Sequence, residues 1–192
     1  MKESPIIFST PMVQAILEGR KSMTRRIVKP QPENLQVKLP MEVDKFNRLL
    51  KQFMKKGYKR IDSNMGGYAI LDCPYGQPGD LLWVKETYAL IPSNYICYKA
   101  SNINITVKCW KPSIYMPRIY SRMLLKVLNI RVERLQQISS DDARKEGVKE
   151  EDSVMGDFRP GFLKIWDKIH GPESWNDNPW VWVVEFEMVN KD

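Results

Sequence analysis

Within Ile16-Leu-Glu-Gly-Arg-Lys-Ser-Met-Thr-Arg-Arg26, four basic groups (Arg20, Lys21, Arg25, Arg26) and two hydroxyls (Ser22, Thr24) gather just after one glycine. Basic groups beside hydroxyls suit two kinds of chemistry: gripping a phosphate, or activating a hydroxyl through a neighbouring amine. The element that must position them is a short helix. Met12, Val13, Ile16 and Leu17 have helical spacing after Thr10-Pro11, with Thr10 as N-cap, Pro11 at the first helical position and Gly19 as the stop. The residues just after Gly19 then form a turn. Residues three apart in a turn can face the same way, whereas on a regular strand they would point to opposite faces. Lys21 and Thr24 are therefore candidates to share a pocket, as readily around an RNA phosphate as around a reacting carbonyl.

The rest of the chain supplies strands. Leu81-Leu-Trp-Val-Lys-Glu-Thr-Tyr88 reads as a buried strand delivered by the turn-rich Cys73-Pro-Tyr-Gly-Gln-Pro-Gly-Asp80. Strands at 95–100 and 105–110 are expected to pair as a hairpin across Ser101-Asn102. The prolines of 111–118 interrupt the sheet. Residues 121–135 form one bent strand or two joined ones, and 180–188 alternates Trp180, Trp182, Val184, Phe186 and Met188 against Val181, Val183, Glu185 and Glu187. Ser139 caps a short helix that ends at Gly147 and puts Glu146 in its last turn, an unfavourable place for an acid because the helix dipole is negative there. A second helix, 158–169, carries Phe158, Phe162, Ile165, Trp166 and Ile169 on one face. Between Pro32 and about residue 70, an amphipathic stretch from Val43 to Tyr58 reads as a helical insertion. The fold class expected is α+β: one domain, 1–192, a small mixed β-barrel with peripheral short helices and an insertion at about 33–70.

Composition narrows the function classes. The 192 residues carry a formal charge of +7, which favours anionic partners, nucleic acid first. No apolar run is long enough to span a bilayer, and the N-terminus has too short an apolar stretch for a signal peptide, so a cytoplasmic setting with no membrane partner is expected. Cys73, Cys97 and Cys109 are odd in number and lack a C-x-x-C pair, so neither a disulfide framework nor a zinc site is indicated. The single histidine, His170, gives a Ser-His-Asp triad, a His-based metal site or a histidine-pair nuclease little to build on, and reads as a helix-end or solvent-facing residue. No metal or other cofactor is expected. Trp110 and Trp175 lie in polar, proline-bearing surroundings where an exposed ring can stack on a nucleobase.

Gly19-Arg20-Lys21-Ser22-Met23-Thr24-Arg25-Arg26 resembles the glycine-x-lysine signature of the ASCH domain, a family related to the PUA RNA-binding domain. Pro78-Gly-Asp80 with its following strand resembles the second ASCH element. Aligned without gaps from Met123, the Ile138-Ser139 cap and the Glu146-Gly147 helix end match the third. The closest likeness is to bacterial amidohydrolases that remove the acetyl group of N(4)-acetylcytidine. The likeness covers somewhat over half the chain, and the additions near 33–70 and 88–118 depart from it. The Cys-Pro-Tyr-Gly, Trp-Lys-Pro-Ser and Met-Pro-Arg elements resemble those of longer prophage relatives.

The resemblance implies a PUA-like barrel, with Thr24 as nucleophile, Lys21 as base and Glu146 as the accompanying carboxylate. Arg20, Arg25, Arg26 and Trp110 become the candidate contacts to substrate, which is RNA or a modified nucleoside. The alternative from another class is a non-catalytic RNA-binding module of phage origin that uses the same turn only to hold its ligand.

Overall fold

The computed structural model describes residues 1–29, 31, 73–91, 95–101 and 107–189 in full, and 58–60 and 70–72 in their backbone pairing. Five strands form the main sheet: β1 (Glu3–Ile7), β2 (Met23–Ile27), β5 (Leu81–Lys85), β8 (Leu124–Arg134) and β9 (Trp180–Val189). Their order is β1-β5-β8-β9-β2, with β1 parallel to β5 and the remaining neighbours antiparallel. Two small antiparallel pairs stand apart from it, β3 (Tyr58–Arg60) with β4 (Ile70–Asp72), and β6 (Tyr88–Ile91) with β7 (Tyr95–Tyr98). The helices are α1 (Thr10–Leu17), α2 (Ser140–Lys145), α3 (Arg159–His170) and α4 (Glu173–Asn176). The class is α+β.

The main sheet is open, whereas a barrel was expected. Closure would require β1 and β2, the two outer strands, to pair. Instead the end of α2 lies along the start of β2: Ser22 N–H donates to Lys145 O at 3.0 Å, and Lys21 forms a one-residue antiparallel bridge with Glu146. The expected insertion lies outside the described residues apart from β3 and β4, and so does the amphipathic stretch before Tyr58.

Alternation gives the sheet two apolar faces. Trp180, Trp182, Val184 and Phe186 join Val13 and Ile16 of α1 in one cluster, while Val181, Val183 and Met23 join Ala143, Phe162 and Trp166 of α2 and α3 in the other. A bulge between Val127 and Asn129 decides what β8 adds to each. One extra residue inverts the phase of alternation, so Leu125, Val127, Ile130 and Val132 all join the α1 side. Arg131 and Glu133 are thereby turned towards α2.

Helix ends follow the sequence closely. Ser139 Oγ accepts the Asp142 N–H at 3.1 Å and starts α2. Gly19 (φ +72°) ends α1 and Gly147 (φ +94°) follows the end of α2, both in the left-handed region that glycine tolerates. The N-cap of α1 is Ser9, one residue before the expected Thr10, with Pro11 in the first turn. Helix α3 is capped by Phe158 and buries Phe162 and Trp166.

Two expectations about pairing are corrected. The strand read over 81–88 ends at Lys85, because Glu86 turns inward and is 1% exposed, its carboxylate held by Arg122 at 2.8 and 3.0 Å. Strand β7 pairs with β6, the segment released by that break; of the partner expected at 105–110, residues 107–110 are not strand and 105–106 lie outside the described residues. Trp175 packs edge-on against Phe162, with centroids 6.4 Å apart, so its ring belongs to the rim of the core. Among the described residues no helix is long and apolar enough to cross a membrane.

Candidate active site

Lys21 stands between the end of α1 and the start of β2, and its side chain is fully buried. Its Nζ donates to Glu146 Oε2 at 2.7 Å and to the Glu146 backbone oxygen at 2.8 Å. The ammonium also lies 5.7 Å from the centre of the Phe8 ring. Close packing makes this meeting possible. A Cβ on Gly147 would fall 3.0 Å from Ala15 Cβ and 3.1 Å from Lys21 Cβ, so only glycine lets the α2 turn approach this near.

Burial lowers the Lys21 pKa, opposed by the charge and hydrogen bond of Glu146 and reinforced by Arg26 and Arg25. The net direction is downward. The lysine is thus biased towards its neutral, basic form in a site that still has a carboxylate beside it.

Glu146 serves both sides of the edge strand. Its Oε1 accepts from Arg25 at 3.3 Å while Oε2 holds Lys21. Arg25 points to the α2 and α3 side, 5.9 Å from the Phe162 ring, whereas Arg26 points to the opposite side, 5.2 Å from Phe8. Two cations and a reaching carboxylate therefore meet around β2, and the acid that sits unfavourably at a helix C-terminus is compensated.

Arg25, expected as a substrate contact, lines the small cavity that Thr24 also lines and is bound at the same time into a carboxylate network. Its side chain is fully buried and donates to Glu133 at 2.6 and 3.0 Å and to Asp142 at 2.7 Å, besides Glu146. Burial works against its charge but the surrounding carboxylates outweigh it and raise its pKa. Arg131 completes the network on Asp142, Glu133 and Glu185. These carboxylates are held by guanidinium groups, and among the described residues no cluster of His, Cys, Asp or Glu is arranged for a metal ion. The alternation of β8 and the first-turn acid Asp142 signal the network only once the bulge is known.

Thr24 is 2% exposed and shares the Arg26 face of β2. It lines a cavity of about 30 Å³ together with Arg25, Arg26, Glu146, Met12 of α1 and Phe162 of α3. Arg26 donates through Nη2 to Ile7 O at 2.5 Å, and its Nε is buried with no partner among the described residues. Burial lowers the Arg26 pKa. His170 lines the same cavity and stacks on Trp166 with centroids 4.2 Å apart. Its pKa is lowered by burial and by Arg26 and Lys29. A helix-end position was expected for His170; its place on the cavity had no signal in the sequence.

Arg20 lies outside this cavity. Half-exposed, it pairs with Glu18 and donates to Gly147 O at 2.7 Å, on the wall of a separate polar groove of about 400 Å³ that Ser22, Arg144 and Lys145 also line. Trp110 precedes Lys111, whose backbone pairs with Tyr88, and no described contact joins it to the Lys21 cluster.

Comparison with known protein families, with curated proteins and with solved structures finds no match to this chain.

Proposed function

We propose that this chain is an ASCH-family protein with a PUA-like arrangement of its sheet, and that it hydrolyses the amide of N(4)-acetylcytidine-like substrates. The observation that carries the reading is the contact between Lys21 Nζ and Glu146 Oε2, 2.7 Å apart and buried. The resemblance in sequence pairs these two residues across 125 positions of chain, independently of their geometry. The remaining support is that Glu146, which holds this buried amine, lines one small cavity with Thr24.

In the proposed reaction, neutral Lys21 takes the Thr24 hydroxyl proton as Oγ1 attacks the acyl carbon. The carbonyl oxygen gains negative charge, and Arg26, which lines the cavity and whose buried Nε–H has no partner among the described residues, is a candidate donor to it. Collapse breaks the carbon–nitrogen bond, and the cytidine amine leaves with the proton held by Lys21. Water then attacks the acyl-threonine, Lys21 takes its proton, and acetate leaves as the proton returns to Thr24. Glu146 holds the lysine in place throughout and stabilises it when charged.

Incubating the protein with N(4)-acetylcytidine should release cytidine and acetate. Absence of both products over prolonged incubation at high enzyme concentration overturns the reading. The rival reading, an RNA-binding module without turnover, draws on the groove lined by Arg20, Ser22, Arg144 and Lys145, whose three cations are paired there with Glu18, Glu150 and Asp141. It would show as salt-sensitive RNA retention with no product.

A further inference from the structure

The cavity over Thr24 is small, and its walls are largely apolar. At about 30 Å³ it has room for roughly two water molecules, which is about the size of one carbonyl and one methyl group. Thr24 and Glu146 are among its buried lining residues, 2% and 6% exposed. Ile169, 52% exposed, and the exposed His170 are lining residues that also reach solvent. A nucleoside cannot enter such a space, so only its acyl substituent can reach the threonine.

Two helices anchored in the core supply apolar side chains to its walls. Met12 lies on α1 beside Val13, which is fully buried, and Ile165 lies on α3 beside Trp166, which is 3% exposed. Trp166 is fixed further by its Nε1–H bond to Ser174 Oγ at 2.6 Å and by the Phe162 ring 5.9 Å away. Widening the cavity would pull these side chains out of close-packed surroundings, and interiors resist that.

We infer that Met12 and Ile165 form a sieve that limits the acyl group cleaved by Thr24 to about two carbons. The inference rests on the deacylase reading and adds to it the residues that set acyl length. Acetyl and formyl amides fit between the two side chains. Each further methylene must displace Met12 or Ile165 before the carbonyl reaches Thr24.

The test measures kcat/KM of the full chain on N(4)-formyl-, acetyl-, propionyl- and butyryl-cytidine. A loss of about tenfold or more for each methylene beyond acetyl is expected. Ile165→Ala and Met12→Ala should each bring butyryl closer to acetyl by about tenfold or more. Met12 is only partly buried, so its variant keeps the test available if Ile165→Ala does not fold. Butyryl turnover within about threefold of acetyl in the unaltered protein, or an unmoved ratio in the variants, overturns the sieve and leaves the deacylase reading standing. Turnover of none of the four amides by any of the proteins overturns both.

Discussion

Lys21 and Glu146 are joined twice, once by their backbones as an antiparallel bridge and once by their side chains at 2.7 Å. The bridge matters because an ion pair between flexible chains is weakened by the entropy of holding both in one geometry. Here the backbones of both partners are placed first, by the turn after Gly19 and the turn at Gly147. The side chains then have little freedom left to lose.

The position of Gly147 therefore bears on both stability and activity. An alanine there must adopt a φ near +94° and place its Cβ about 3 Å from the Ala15 and Lys21 side chains. We expect Gly147→Ala to destabilise the fold by about 2 kcal/mol or more, read as a lower midpoint in urea unfolding. Deacylation should fall with it even where the variant is fully folded, because Lys21 is pushed from Glu146. A variant of unchanged midpoint would show that the close approach is not constraining.

Thr24→Ala tests the nucleophile with little structural cost. No hydrogen bond to the Thr24 hydroxyl is present among the described residues, so its removal strands no partner. We expect a loss of stability of about 1 kcal/mol and a loss of deacylation of about a thousandfold or more, with Thr24→Ser recovering part of the rate. Turnover by the alanine protein at near the original rate would remove Thr24 from the mechanism.

The pH dependence is set by the Lys21 environment. Its folded pKa lies below the ordinary lysine range because burial outweighs the Glu146 carboxylate. Between the folded and ordinary values the unfolded chain binds more protons than the folded one, so stability rises with pH across that window. On the proposed mechanism the rate should rise with it, as the base becomes free. Glu146→Gln removes the charge that supports the ammonium and should shift the rising limb of kcat/KM to lower pH, while lowering its plateau by about a hundredfold. A limb that stays in place or moves to higher pH belongs to some group other than Lys21.

Local punctuation made much of the fold legible. Pro11, Gly19, Ser139 and Gly147 mark helix ends through fixed backbone preferences, and the α3 face from Phe158 to Trp166 follows the helical period. Strand partners were less accessible. Nothing in residues 81–91 announces that Glu86 will leave the strand for Arg122, and that departure is what makes β6 available to β7. At the site, Lys21 and Thr24 could be singled out from the local turn, whereas Glu146 is named only through the family resemblance. The destination of Arg25 could not, since it depends on the β8 bulge that turns Arg131 and Glu133 towards α2.

Arg25 separates a structural cation from a substrate contact. Its guanidinium, without solvent exposure, is shared by Glu133, Asp142 and Glu146, whose side chains are 15%, 16% and 5% exposed. Replacing it by methionine keeps much of the volume but leaves three nearly buried carboxylates without their common partner. Breaking a buried pair in this way costs about 3–5 kcal/mol, and we expect Arg25→Met to show a loss of that size in urea unfolding. Arg25→Lys should recover only part of it, because a single ammonium cannot reproduce the planar fork that reaches all three acids. Arg26→Met should instead leave the unfolding midpoint closer to the original and act on turnover, since Arg26 lines the Thr24 cavity and its buried Nε has no described partner. An Arg25→Met protein of unchanged stability but raised KM would return Arg25 to the substrate contacts and dismiss the network as its main role.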